Sequence, residues 1–254
     1  MKNLNRHHSP AREIACIAVV VALLVGGQVA LSAVSGVEVV TILLLTFSFT
    51  FGSRAGVLAA VAFSLLRCFI FGFYPTAIVL YLIYYPLFAL AFGALGAGGI
   101  KRFSRFPLWA AIAVNILLAI TAAACAVLAA TTILKISRLA VVMVKTLLWV
   151  IFALCTALLV VFNVFYALQR SGRLKSANTL SIVVVAAVAA LFTICFTLLD
   201  DVITPLFMGW GLFSESSALY FYTSFVALAP QTVCAIVTVL LFFFPLTTIF
   251  AKVR

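Results

Sequence analysis

The stretch GVEVVTILLLTFSFTFG, residues 36–52, sets one carboxylate, Glu38, against a run of aliphatic and aromatic residues broken only by threonines and a serine. The chain has 254 residues and only five acids, so an acid at the edge of such a run needs a reason. The run itself sets the class. Hydrophobic residues make up 67% of the chain and charged residues 8%, whereas a soluble domain is about half apolar and a quarter charged. So few charges cannot cover a water-facing surface. The sequence is that of an integral membrane protein whose spanning segments are its fold. Barrel strands alternate apolar and polar residues over about 10 positions. These segments are apolar on all sides, which predicts an all-α polytopic transmembrane helix bundle.

A spanning helix needs about 20 mostly apolar residues. Working outward from residues 36–52, eight apolar segments are legible, at 13–34, 39–51, 55–71, 77–98, 107–134, 139–168, 177–199 and 218–250. The second and third are short. The apolar run after MKNLNR exceeds the 7–15 residues of a signal-peptide core and continues into another span, so it reads as a first helix rather than a cleaved leader.

Basic residues give the direction. Lys2, Arg6 and Arg12 precede the first segment, and Arg54 lies between the second and third. Lys101, Arg102 and Arg105 follow the fourth, Arg170, Arg173 and Lys175 follow the sixth, and Lys252 and Arg254 end the chain. These alternate connections hold 12 of the 16 basic residues. The positive-inside rule makes them cytoplasmic, with both termini inside. Lys135 and Arg138 go against the pattern, in a turn placed outside. The net charge of +11 is thereby explained by topology and anionic headgroups, with no call for nucleic acid.

The same topology puts Glu38, Asp200, Asp201 and Glu215 at the outer face, and Arg67 about one turn below the end of the third helix. Glu38 opens a helix running inward and Arg67 nears the end of one running outward, so the two reach similar depth. Intramembrane charge costs several kcal/mol and has a partner or a function. Two readings stand for this pair. Glu38 and Arg67 contact a ligand, or Glu38 complements a helix dipole while Arg67 reaches up to the headgroups. A second candidate region is LDDVITPLFMGWGLFSESSALYFYTSF, read as the longest connection in the chain. Asp200, Asp201, Trp210, Tyr220 and Tyr222 there suit a planar organic ligand or an interfacial aromatic belt. In the last helix, Pro230 frees a backbone carbonyl and Gln231 stands beside it, as in the broken helices of transporters or as a packed kink. Asn115 and Lys145 also fall within spans.

Small residues at spacing four, Ala11, Ala15, Ala18 and Ala22 in the first helix, allow close helix approach. The six cysteines lie in apolar segments without paired spacing and read as packing residues. His7 and His8 lack metal-site spacing. GALGAGGIK is not a phosphate loop, because it closes an apolar helix and lacks the final Ser or Thr. No H-E-x-x-H and no intramembrane acid pair of the metalloenzyme kind is present. The reading is of a non-enzymatic protein with no metal or cofactor.

Residues 11–73, AREIACIAVVVALLVGGQVALSAVSGVEVVTILLLTFSFTFGSRAGVLAAVAFSLLRCFIFGF, resemble the substrate-binding (S) components of energy-coupling factor (ECF) transporters, vitamin-uptake systems of bacteria and archaea. The small-residue first helix, VALSAVSGVEVVT at 29–41, and FGSRAG opening a helix that leads to FIFGF carry the resemblance. It spans about residues 11–99 and resumes at 177–250. It implies a single integral membrane domain in a prokaryotic plasma membrane. A six-helix core would come from 13–99 and 177–250, after a cytoplasmic tail at 1–12. Residues 107–168 would be an extra hairpin, giving about eight spans. It further implies that Glu38 binds ligand or anchors the first outer loop, and that Ala11, Ala15, Ala18 and Ala22 meet an energy-coupling transmembrane subunit driven by two cytoplasmic ATPases. The ligand would be a vitamin or similar small organic micronutrient. Without the ATPase partners, the same features would suit a standalone carrier or a membrane assembly protein.

Overall fold

The computed structural model describes residues 10–34, 38–97, 108–131, 138–171, 177–211 and 214–254. Lys2, Arg6, His7, His8, Lys101, Arg102, Arg105, Lys135, Arg173 and Lys175 lie outside the described residues. Among the described residues every regular element is helical. The helices are α1 (Pro10–Leu31), α2 (Val40–Phe51), α3 (Ser53–Phe71), α4 (Pro75–Gly96), α5 (Leu108–Thr131), α6 (Arg138–Arg170), α7 (Ala177–Phe207) and α8 (Glu215–Val253).

Six stretches are long and apolar enough to cross a membrane: Ala11–Leu31, Ser53–Phe71, Pro75–Gly96, Val144–Leu168, Ile182–Phe207 and Pro230–Val253. They include α6 and omit α2, so they are not the six that the family resemblance would count. With 12 residues, α2 is only about 18 Å long.

The helices divide into two compact units. One comprises residues 1–97 and 242–254, the other residues 98–241. The last helix therefore contributes to both, changing unit after Leu241.

In the first unit α2 is the central helix. It is hydrophobic all round, and such a helix is stable only when surrounded. Val40, Ile42, Leu44, Leu45, Phe47 and Phe49 are all buried. Its polar side chains are satisfied locally, because Thr46 and Thr50 donate to the carbonyls of Ile42 and Thr46 at 2.7 and 2.8 Å. Phe47 and Phe49 meet Phe250 and Phe243 of α8 edge-on, with ring centroids 5.8 and 5.2 Å apart. Gly52, with φ +94°, turns the chain from α2 directly into α3. At Gly96, α4 passes so close to the carbonyl of Phe49 that a side chain would collide with it.

Arg12 donates to the carbonyl of Val253 and Arg254 to that of Thr50, each at 2.6 Å. The start of α1 and the ends of α2 and α8 therefore share one basic end of the unit. Glu38 stands at the opposite end of α2.

In the second unit α5 and α6 form an antiparallel hairpin. Asn115 and Asn163 face each other across it, with Asn115 Nδ2 donating to Asn163 Oδ1 at 3.2 Å. Each amide also donates to its own helix, to the carbonyls of Ala111 and Leu159. A polar pair so closed on itself ties two helices together in an apolar medium. The next helix, α7, packs on α6.

The segment expected as the longest connection is mostly helix. Rather than ending near 199, α7 continues to Phe207, and α8 begins at Glu215 rather than near 218. The end of α7 is closed by the N–H of Trp210 to the carbonyl of Pro205 and that of Gly209 to Leu206, with Gly209 at φ +68°. This is a Schellman ending, which needs a left-handed residue at that position. Ser214 then caps α8 through the N–H of Ser217 at 3.3 Å. Two capping signals, read from the sequence as loop composition, are in fact helix ends.

Candidate functional site

Glu38 lies immediately ahead of α2, where a carboxylate complements the helix dipole. Thr41 Oγ1 donates to Glu38 Oε2 at 3.2 Å, and Tyr85 Oη of α4 donates to Glu38 Oε1 at 3.4 Å. Tyr85 is only 2% exposed. It is wedged against Phe63 of α3 and against Tyr81 and Tyr84, each ring centroid 5.1 Å away. The Arg67 guanidinium lies over the Tyr81 ring at 3.9 Å and the Phe71 ring at 5.1 Å, a cation–π stack. Its Nε is buried with no hydrogen-bond partner among the described residues. Ser64 Oγ ties the α3 and α4 backbones together by donating to the Tyr81 carbonyl at 3.1 Å.

Burial raises the Glu38 carboxyl above its ordinary value. The hydrogen bonds from Thr41 and Tyr85 and the nearby Arg67 cation each pull it back down. The site thus combines a hydrogen-bond acceptor, a fixed cation and stacked phenol faces.

The expected convergence of Glu38 and Arg67 is present. Missed in the sequence was the contribution of α4. VLYLIYYPLF places Tyr81, Tyr84 and Tyr85 at i, i+3 and i+4, one helical face. That spacing could have marked the face, but not its neighbours.

The second unit holds a separate cluster. Asp200 Oδ2 accepts from Tyr220 Oη at 2.8 Å and Asp200 Oδ1 accepts from Thr204 Oγ1 at 2.9 Å. Trp210 meets the Tyr220 ring edge-on, at 6.5 Å. Asp201 is 1% exposed, and neither of its oxygens has a hydrogen-bond partner among the described residues. Ser224, within hydrogen-bonding reach of Asp201, also donates to the Phe221 carbonyl at 2.9 Å.

Two expected site residues stand apart from this cluster. Tyr222 is 53% exposed. Gln231 is half-buried, about 16 Å along α8 from Tyr220 at 1.5 Å per residue. The expected ligand-binding set is therefore divided, with Glu38 and Arg67 in one unit and Asp200, Asp201, Trp210 and Tyr220 in the other.

Along α1, Ala11, Ala15, Ala18 and Ala22 are all exposed. No disulfide joins the six cysteines. Among the described residues no group of three or more His, Cys, Asp or Glu side chains could hold a metal ion. No family model, curated protein or solved structure matches the chain.

Proposed function

We propose that the protein is the substrate-capture subunit of an uptake transporter of the energy-coupling factor type, serving a vitamin or similar small organic micronutrient. In this reading the first four helices and the last two form the S-component core, and α5 and α6 are an added hairpin, giving eight crossings. The membrane is a prokaryotic plasma membrane, and both termini are cytoplasmic. The protein performs no chemistry of its own. A transmembrane coupling subunit docks on the Ala11, Ala15, Ala18 and Ala22 side of α1, where small exposed side chains admit a partner helix closely. Two cytoplasmic ATPases drive that subunit.

The observation that carries this reading is the Glu38–Tyr85–Arg67 arrangement. An acceptor, a cation and phenol faces converge at the end of the unit opposite Arg12 and Arg254. Ligand recognition at one end and a small-residue face along α1 give the two contacts that a capture subunit requires.

The test is isothermal titration with whichever small molecule mass spectrometry finds retained on the purified protein. Glu38→Gln loses a hydrogen bond to a charged acceptor, about 1.5–3 kcal/mol, so affinity falls about ten- to a hundredfold. Melting temperature does not fall, because the amide keeps an acceptor for Tyr85 and sheds a buried charge. Unchanged affinity would overturn the assignment of Glu38. Ala18→Phe separates the second contact, since co-purification with the coupling subunit is lost while ligand affinity is kept.

Asp201 favours a second reading, a standalone carrier without ATPases. A buried membrane carboxyl suits proton-coupled transport. Uptake by the chain alone in proteoliposomes, abolished by collapsing the proton gradient, would select it.

A further inference from the structure

A cavity of about 480 Å³ lies among α5, α6 and α7. Its walls are aliphatic and aromatic, including Leu118, Leu158, Phe162, Val188 and Leu191, with Thr121, Cys155 and Cys195 as the only lining side chains that are not hydrocarbon. The nearest amides, Asn115 and Asn163, are committed to each other and to their own helices. A polar heterocycle entering here would leave its donors and acceptors unpaired.

The cavity is elongated. Its lining runs on α7 from Val184 to Leu198 and on α6 from Ile151 to Phe162, about 21 and 17 Å at 1.5 Å per residue. One leaflet accounts for half of the hydrocarbon core of about 30 Å, so the cavity has the length of a leaflet's chains. Over about 20 Å, a cavity of 480 Å³ is wide enough to admit a carbon chain in van der Waals contact with its walls.

Charge decides which end the headgroup takes. At one end the cavity wall is Phe162. Tyr166 stacks on it at 6.1 Å, and exposed Arg170 follows at the same spacing of four on the same face of α6. Side chains tilt toward the helix N-terminus, so Arg170 leans back toward the cavity. Beyond Leu198, at the other end, the acids Asp200 and Asp201 of α7 offset the basic Lys145 and Arg138 of α6, so that end offers a phosphate no net positive charge.

We infer that this cavity seats one acyl chain of an anionic phospholipid, whose phosphate lies at the Arg170 end of the hairpin. Hydrocarbon gains nothing hydrophobic by leaving a bilayer. The chain is held by the dispersion contacts it restores along the walls and by its phosphate at Arg170.

The test uses the full-length protein with phosphatidylglycerol and phosphatidylcholine of identical chains. In native mass spectrometry from an equimolar mixture, one bound lipid survives, with phosphatidylglycerol favoured about fivefold, as about 1 kcal/mol per surface arginine gives. Arg170→Gln brings the two to parity. Leu158→Trp, or Ala187→Phe from the facing helix, fills the cavity and removes the retained lipid while circular dichroism stays unchanged. If neither variant folds, phosphatidylglycerol with a diazirine midway along its chain labels the unaltered protein within 114–121, 151–162 or 184–198. The inference is overturned if labelling falls only elsewhere, if a folded cavity-filled variant retains the lipid, or if the unaltered protein shows no headgroup preference.

Discussion

Glu38 in the first unit and Asp200 in the second are dressed almost alike. Each accepts from a threonine a turn further along its own segment, Thr41 or Thr204, and from a tyrosine on another helix, Tyr85 or Tyr220. They differ in the next charge. Glu38 has the Arg67 cation within electrostatic reach, whereas Asp200 has a second carboxyl, Asp201, beside it in sequence. In a medium where an isolated charge costs several kcal/mol, the first site is compensated from within the fold. The second gathers two adjacent acids. The same acceptor geometry thus stands in two different electrostatic settings.

The sharpest way to break this comparison is to remove the cation. Arg67→Gln should leave Glu38 partly buried without its counter-charge and strip the stack on Tyr81. Removing one partner of a buried pair costs about 3–5 kcal/mol. Arg67 is half-buried, its charge is the smallest of the effects on Glu38 and it also stacks on Tyr81 and Phe71, so a combined loss of about 2 kcal/mol is expected in denaturant unfolding at neutral pH. Glu38→Gln should not destabilise the protein, and the double variant should be nearly as stable as Glu38→Gln alone, because with no carboxylate to strand, most of the penalty goes. Equal losses from the two single variants would mean that Arg67 acts through packing and not through charge.

A smaller effect compares the two phenols. Tyr220 Oη approaches Asp200 at 2.8 Å and Tyr85 Oη approaches Glu38 at 3.4 Å. Hydrogen bonds to charged groups are worth about 1.5–3 kcal/mol when well formed. Tyr220→Phe should therefore lose about 1.5 kcal/mol of stability, and Tyr85→Phe less than about 1 kcal/mol, since its bond is long. If Tyr85→Phe proves the costlier, Glu38 depends on its neighbours for position more than its distances indicate.

How much of this was legible in the sequence differs between the two sites. Charge counting places Glu38 and Arg67 at the same depth, because one opens an inward helix and the other nears the end of an outward one. Depth follows from span boundaries alone. It does not reveal that α4 supplies Tyr81, Tyr84 and Tyr85, because which helix faces which is set by packing around α2. The second region was misjudged in a different way. Pro205, Gly209, Gly211 and Ser214 look like a long loop by composition, yet they close one helix and cap the next. Gln231 and Tyr222 joined the candidate list by proximity in sequence, while helical geometry sends them elsewhere.

The smallest effect is the dependence on pH, and it isolates Glu38. Its ordinary value is 4.5, and burial raises it in the folded state, with Thr41, Tyr85 and Arg67 offsetting part of the rise. The folded protein therefore holds this proton more tightly than the unfolded chain. The stabilisation from protonation is complete below pH 4.5 and is lost as pH rises through the folded-state value. Unfolding midpoints should thus fall as pH increases from about 4.5 toward neutrality. The informative quantity is the difference between the unaltered protein and Glu38→Gln. The amide cannot ionise and mimics the protonated acid. The two proteins should have similar stability at pH 4 and diverge as pH rises, the variant becoming the more stable. Parallel curves would mean that Arg67 and the two hydroxyls fully offset burial, leaving Glu38 as well solvated in the fold as in water. A difference of the opposite sign would mean that the Arg67 charge dominates. The stranded-carboxylate account of Arg67→Gln would then predict a larger loss than the one given above.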